Sequence, residues 1–174
     1  MEALECIKTR RSVRKFTEEA VSREQMAEVV AAAAYAPSWK NTQTARYYFV
    51  TDKEKIARLA SDCMMDFAYN QKTASHAPAL VILTTITGRS GFERDGSFST
   101  SKGTHWQSFD AGIAAEAFCL AAHAYSSSCS SILPILPIAP EGEEVAAIIA
   151  IGHPAEQPQA PARKDVDTLL RVID

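Results

Sequence analysis

Apolar residues along this chain alternate between helical and strand-like spacing. Ala3 to Thr9 carries Leu4 and Ile7 at helical spacing, which predicts a short helix with those two residues inward. Ser22-Arg23-Glu24-Gln25 has the form of a capping box, a serine N-cap with glutamine three positions on. From there Met26, Val29, Val30, Ala33 and Ala34 trace one buried helical face until Pro37 stops the helix. Arg46 to Thr51 is aromatic and β-branched and predicts a strand. Asp52 then caps a helix with Ile56, Leu59, Ala60 and Cys63 on one side.

Ala79 to Ile86 is a short, continuous apolar run, which suits a strand covered on both faces. Residues 87–104 are rich in glycine, serine and charge and predict a loop or lid. Phe109 to Tyr125 is apolar around nearly its whole circumference, so this helix needs cover from its own domain or from a partner subunit. Val145 to Ile151 predicts a third internal strand. The tail is punctuated by Pro158 and Pro161 and ends in a short helical segment near Leu169. The pattern is α+β: about four strands, helices on both faces, and a long C-terminal arm within one domain, 1–174. Proline-rich arms that leave a domain body often wrap a second copy, so a homodimer is expected.

Composition narrows the partners. The chain has 174 residues, 47% of them apolar, enough for a sizeable core. A net charge of -3 argues against a nucleic-acid surface. No apolar stretch is long enough to span a membrane, and the acidic opening Met1-Glu2-Ala3-Leu4-Glu5 lacks the layout of a signal peptide. The four cysteines show no C-x-x-C pair and read as reduced core thiols, so a cytoplasmic location is expected. His76, His105, His123 and His153 have no ligand spacing, so no metal is expected. There is no glycine-rich dinucleotide or phosphate loop and no G-x-S-x-G.

One cluster stands out against this background. Arg10-Arg11-Ser12-Val13-Arg14 packs three guanidinium groups and a hydroxyl into five residues. Planar forks of N–H donors match phosphate oxygens, although a solvated basic segment has the same composition. A phosphate-sized site beside no obvious reactive side chain is the arrangement expected where a bound cofactor carries the chemistry.

The run from Ile7 to Phe16, the loop Ala36-Pro37-Ser38-Trp39-Lys40-Asn41-Thr42-Gln43, the segment Asp110-Ala111-Gly112-Ile113-Ala114-Ala115-Glu116, the stretch Ile149 to Pro154 and the pair Arg163-Lys164 together resemble the FMN-dependent nitroreductase family. That resemblance implies a nitroreductase-like fold: a central mixed, mostly antiparallel sheet flanked by helices, with the C-terminal arm exchanged in a homodimer. It implies that Arg10 and Ser12, with Arg11 beside them, hold the phosphate and ribityl end of FMN, and that Arg14 lies at the pyrimidine edge. Asn70 would bond the pyrimidine carbonyls. Pro37, Ser38, Trp39 and Asn41 would cover the same flavin from the partner subunit, and Arg163 and Lys164 would close the phosphate end. Leu133 and Pro134 stand where the family places a loop over the flavin face, within a segment that carries serines and prolines instead of glycines. The implied activity is ping-pong electron transfer from NADH or NADPH to a nitroaromatic, quinone or similar small acceptor. A flavin carrier or sensor without efficient turnover is the alternative.

Overall fold

The computed structural model describes residues 1–132 and 139–173. Strands β1 (Ala45–Val50), β2 (Ala79–Ile86), β3 (Ser128–Ile132) and β4 (Glu143–Gly152) form one sheet in the order β1-β2-β4-β3. Where a mixed, mostly antiparallel sheet was expected, every described pairing is antiparallel. The helices are α1 (Ala3–Thr9), α2 (Arg23–Ala33), α3 (Lys53–Asp62), α4 (Ala68–Ser75), α5 (His105–Ala124) and α6 (Val166–Leu169).

The sheet has a core on each face. On one side Val81, Leu83, Ile149 and Ile151 meet Val29 of α2 and Phe118 of α5. On the other, Leu80, Ile148 and Ala150 meet Ile56 of α3 and Ala74 of α4. Successive strand residues point to opposite faces, so a strand covered on both sides needs an unbroken apolar run. This accounts for Ala79–Ile86. At the far end of β4, Gly152 is required by contact: a Cβ there would come within 2.5 Å of Pro78 Cγ and 3.0 Å of Phe16 Cδ1.

The caps follow the sequence. Ser22 Oγ accepts from Gln25 N and Gln25 Oε1 accepts from Ser22 N, completing the capping box, and Asp52 accepts from Lys55 N. α5 begins at His105, four residues before the predicted start, with the Gln107 side chain accepting from Gly88 N at 2.7 Å. It ends in a Schellman motif: Ser126 N donates to His123 O and Ser127 N to Ala122 O. Ser126 takes φ 62, the left-handed conformation that glycine usually supplies.

Three features differ from the sequence reading. Leu4 and Ile7 do not point inward; they are 69% and 58% exposed, and Cys6 is the buried residue of α1. The reason is local, because α1 docks on α5 with Cys6 Sγ donating to Leu120 O, which turns Leu4 and Ile7 away. Ser128–Ile132, in the serine- and proline-bearing segment where the resemblance places a loop, forms β3, paired from Ser128↔Gly152 to Ile132↔Ile148. Its serines have little strand preference, and the neighbouring β4 supplies the ladder. α4 was not foreseen either, since it is polar and buries only Thr73 and Ala74.

Candidate functional site

The arginine run is held at both ends. Upstream, α1 is fixed to α5 by Cys6 and by Thr9, whose Oγ1 lies 2.9 Å from His123 Nε2. Downstream, Phe16 bridges Pro154, with Thr17 N donating to His153 O and Ala155 N to Lys15 O, both at 2.9 Å. A Lys15–Glu156 ion pair at 2.8 Å closes the same junction. Val13, between the arginines, is buried. The run is therefore a fixed, extended segment.

Within it the side chains divide. Arg10 is mostly buried, and its Nε lies 3.4 Å from Glu116 Oε1 without hydrogen-bond alignment, so a buried N–H is left without an acceptor. Arg11 gives Nη1 to Lys8 O at 2.8 Å and to Arg10 O at 2.7 Å, which satisfies carbonyls at the end of α1. Arg14 gives Nη1 to Ser12 O at 3.2 Å, and its guanidinium carbon sits 5.7 Å from the centre of the Tyr69 ring. Tyr69 precedes Asn70 on α4, so the structure brings Arg14 to the turn that carries Asn70.

The Pro37–Gln43 loop lies elsewhere on the chain, against the N-terminal half of α5. Asp110 Oδ2 accepts from Trp39 N at 2.9 Å and from the Ser90 hydroxyl at 2.6 Å. The Trp39 and Trp106 rings are 4.5 Å apart, and Lys40 forms an ion pair with Glu93 at 2.8 Å. That pairing holds the Glu93 carboxyl below its ordinary range, with the Lys40 hydrogen bond as the leading cause. Lys40, Asn41 and Gln43 all have positive φ, at 44, 54 and 48. Such values cost a non-glycine residue on the order of 1 kcal/mol or more and persist only where surrounding bonds impose them. Ser38 Oγ accepts from Gln43 N, and Asn41 Oδ1 accepts from Gln43 Nε2. Trp39 Nε1 is buried without an acceptor.

Along α5 the two groups are separated. Asp110 holds the loop and Glu116 meets Arg10, six residues or roughly 9 Å further on. One chain thus presents the arginine segment and the tryptophan loop at different places on the same helix. Arg163 and Lys164 are exposed on the extended arm. Leu133 and Pro134 lie outside the described residues. Among the described residues no group of three histidine, cysteine or acidic side chains would hold a metal, and no helix is long and apolar enough to cross a membrane.

Sequence reasoning gave Asp110 and Thr9 no role at the site. The signal for Asp110 was present, as an acidic residue at the start of a largely apolar stretch of helix. Thr9 gave none, since its partner His123 is distant in sequence.

A profile of the nitroreductase family matches residues 7–133, a span that contains both groups. The chain belongs to the nitroreductase family. Its fold is similar to that of a nitroreductase-family protein from Streptococcus pneumoniae TIGR4, at 20% identity and a TM-score of 0.84, covering 99% of this chain and 100% of that one. It is similar to a protein of Desulfovibrio desulfuricans assigned as a nitroreductase and solved in complex with FMN, at 25% identity and TM-score 0.79, covering 100% and 98%. It is also similar to a Bacteroides thetaiotaomicron protein assigned as an NADH dehydrogenase/NAD(P)H nitroreductase, at 22% identity and TM-score 0.78, covering 97% and 96%. The donor set of this nitroreductase-family chain fits FMN: a fixed segment of three arginines and a serine, with a buried Arg10 N–H still lacking an acceptor.

Proposed function

We propose that this chain is an FMN-dependent oxidoreductase. It would take electrons from NADH or NADPH and pass them, in alternating half-reactions, to a nitroaromatic, quinone or similar small acceptor. When bound, FMN would supply the hydride chemistry. The observation that carries this reading is the buried, acceptor-less Nε of Arg10 within the fixed arginine segment. An anionic oxygen is the natural partner for such a group.

The roles of the other residues follow from their places. Arg10 and Ser12 would bind phosphate and ribityl oxygens, with Arg11 bracing the end of α1 and adding charge. Arg14, steadied over Tyr69, would place a cation at the pyrimidine edge and favour negative charge gathering there, without moving a proton. The Asn70 amide would bond the ring carbonyls. Arg163 and Lys164 would approach the phosphate from the arm, and Leu133 and Pro134 would face the ring.

Pro37, Ser38, Trp39 and Asn41 would cover the cofactor of a second copy, which accounts for their distance from the arginine segment within one chain. Exposed apolar residues support a homodimer with exchanged arms: Leu4, Ile7 and Phe109 on the body, and Val166, Leu169, Leu170 and Ile173 at 58–94% exposure on the arm. One domain over 1–174 and a cytoplasmic location complete the reading, the latter in keeping with buried thiols at Cys6 and Cys63.

Purified protein tests it directly. It should be yellow, release FMN identifiable by mass, and bleach anaerobically on addition of NADH or NADPH. Colourless protein that takes up no FMN would overturn the proposal. Yellow protein that neither nucleotide bleaches would point instead to a flavin carrier or sensor.

A further inference from the structure

The hydrogen bond between Thr9 and His123 has no part in the function proposed above, yet it sits where the arginine segment begins. Thr9 Oγ1 lies 2.7 Å from Glu5 O and 2.9 Å from His123 Nε2. A hydroxyl has one proton, and the Glu5 carbonyl can only accept, so Thr9 donates to Glu5 and accepts from His123 Nε2–H. That assignment fixes the proton on Nε2 of the imidazole. On α5, Glu116, Leu120 and His123 form one stripe, meeting Arg10, Cys6 and Thr9 in turn.

Packing does little to hold the last turn of α1. A cleft of about 490 Å³ opens beside it, lined by Thr9, Arg11, His123, Ser126 and Pro154. Leu4 and Ile7 face away from the domain, and Cys6 is the buried residue of the helix. Directional bonds must therefore set where Arg10 and Arg11 stand. Burial first, then the Arg10 and Arg11 charges, hold His123 below its ordinary pKa.

We infer that His123 is a positioning residue: through Thr9 it fixes the end of α1, so that Arg10 and Arg11 meet the phosphate of the flavin. This rests on the function proposed above and adds that selectivity for the phosphorylated cofactor depends on α5. His123 acts on the arginines through Thr9. Its loss should therefore weaken binding of FMN and spare riboflavin, which lacks the phosphate.

The test uses full-length protein freed of bound flavin, titrated separately with FMN and riboflavin by flavin fluorescence, with circular dichroism to confirm folding. The wild type should prefer FMN. In His123→Leu and in Thr9→Val the ratio of riboflavin to FMN dissociation constants should fall about fivefold, as expected for one lost hydrogen bond. The double variant should lose no more than Thr9→Val alone, because the bond to His123 is already absent there. His123→Gln, which retains an N–H donor, and Thr9→Ser should both restore the ratio. An unchanged ratio in folded His123→Leu overturns the inference while leaving the FMN reading intact. An equal loss of both flavins also overturns it, by showing a merely structural role. A wild type that binds neither flavin, or both alike, overturns the FMN reading and this inference with it.

Discussion

Asp110 Oδ2 accepts the backbone N–H of Trp39 at 2.9 Å, joining two residues 71 apart in sequence. The same oxygen accepts the Ser90 hydroxyl at 2.6 Å, so one buried carboxylate ties the tryptophan loop and the start of the 88–104 segment to α5. The Lys40–Glu93 ion pair joins the loop to that segment from outside, and the Trp39–Trp106 contact joins the loop to α5. These contacts connect the tryptophan loop, the 87–104 segment and α5 to one another.

Asp110→Ala should therefore cost about 1–3 kcal/mol, because two donors lose a buried acceptor. Denaturant titration would measure this. The positive-φ residues Lys40, Asn41 and Gln43 should relax at the same time, so loosening ought to be confined to residues 37–43 and 88–104 in hydrogen exchange. Uniform loss of protection would contradict the local role.

His123 predicts a pH dependence. Its folded pKa lies below the ordinary 6.5, from burial first and then from Arg10 and Arg11. The unfolded chain thus binds the proton more readily. The associated stability is present above about pH 6.5 and is lost as pH falls through the lowered folded value. Because His123→Gln keeps an N–H donor and does not titrate, the wild type should lose stability relative to it as pH is lowered from 7.5 to 5.

Ser126 holds the left-handed position of the Schellman motif at the end of α5. Glycine carries no Cβ penalty in that conformation, so Ser126→Gly should stabilise the protein by about 0.5–1 kcal/mol after the entropy of the freer unfolded chain is counted. A lower thermal midpoint would contradict this account of the cap.

Leu4 and Ile7, exposed on α1, test the proposed assembly. Leu4→Glu with Ile7→Glu should leave the monomer fold unchanged, since neither residue packs in the core, while sedimentation shifts from dimer to monomer. FMN should be lost together with the dimer if the tryptophan loop of one copy covers the cofactor of the other. An unaltered sedimentation coefficient would place the interface elsewhere.

Much of this architecture is legible before any coordinates. Ser22 and Gln25 announced a cap that forms in full, and the unbroken run Ala79–Ile86 announced a strand covered on both faces. Both signals are local, so neighbouring residues suffice to read them. β3 and α4 were not legible, because their placement comes from β4 and α3 and hardly at all from their own side chains. Leu4 and Ile7 show the converse failure: the helical period was real, but the apolar stripe faces away from its own domain. At the site, the chemistry of Arg10–Arg14 could be read from residue type. Asp110, Thr9 and His123 could not be given roles, since each acts through a partner far along the chain.

The short ladder between Lys15–Thr17 and His153–Ala155, with the Lys15–Glu156 ion pair beside it, lies immediately before the proline-punctuated tail. A pull on that tail loads this junction before it reaches the sheet, and the junction stands one residue past Arg14. The anchorage of the tail and the arginine segment are thus neighbours both along the chain and in space.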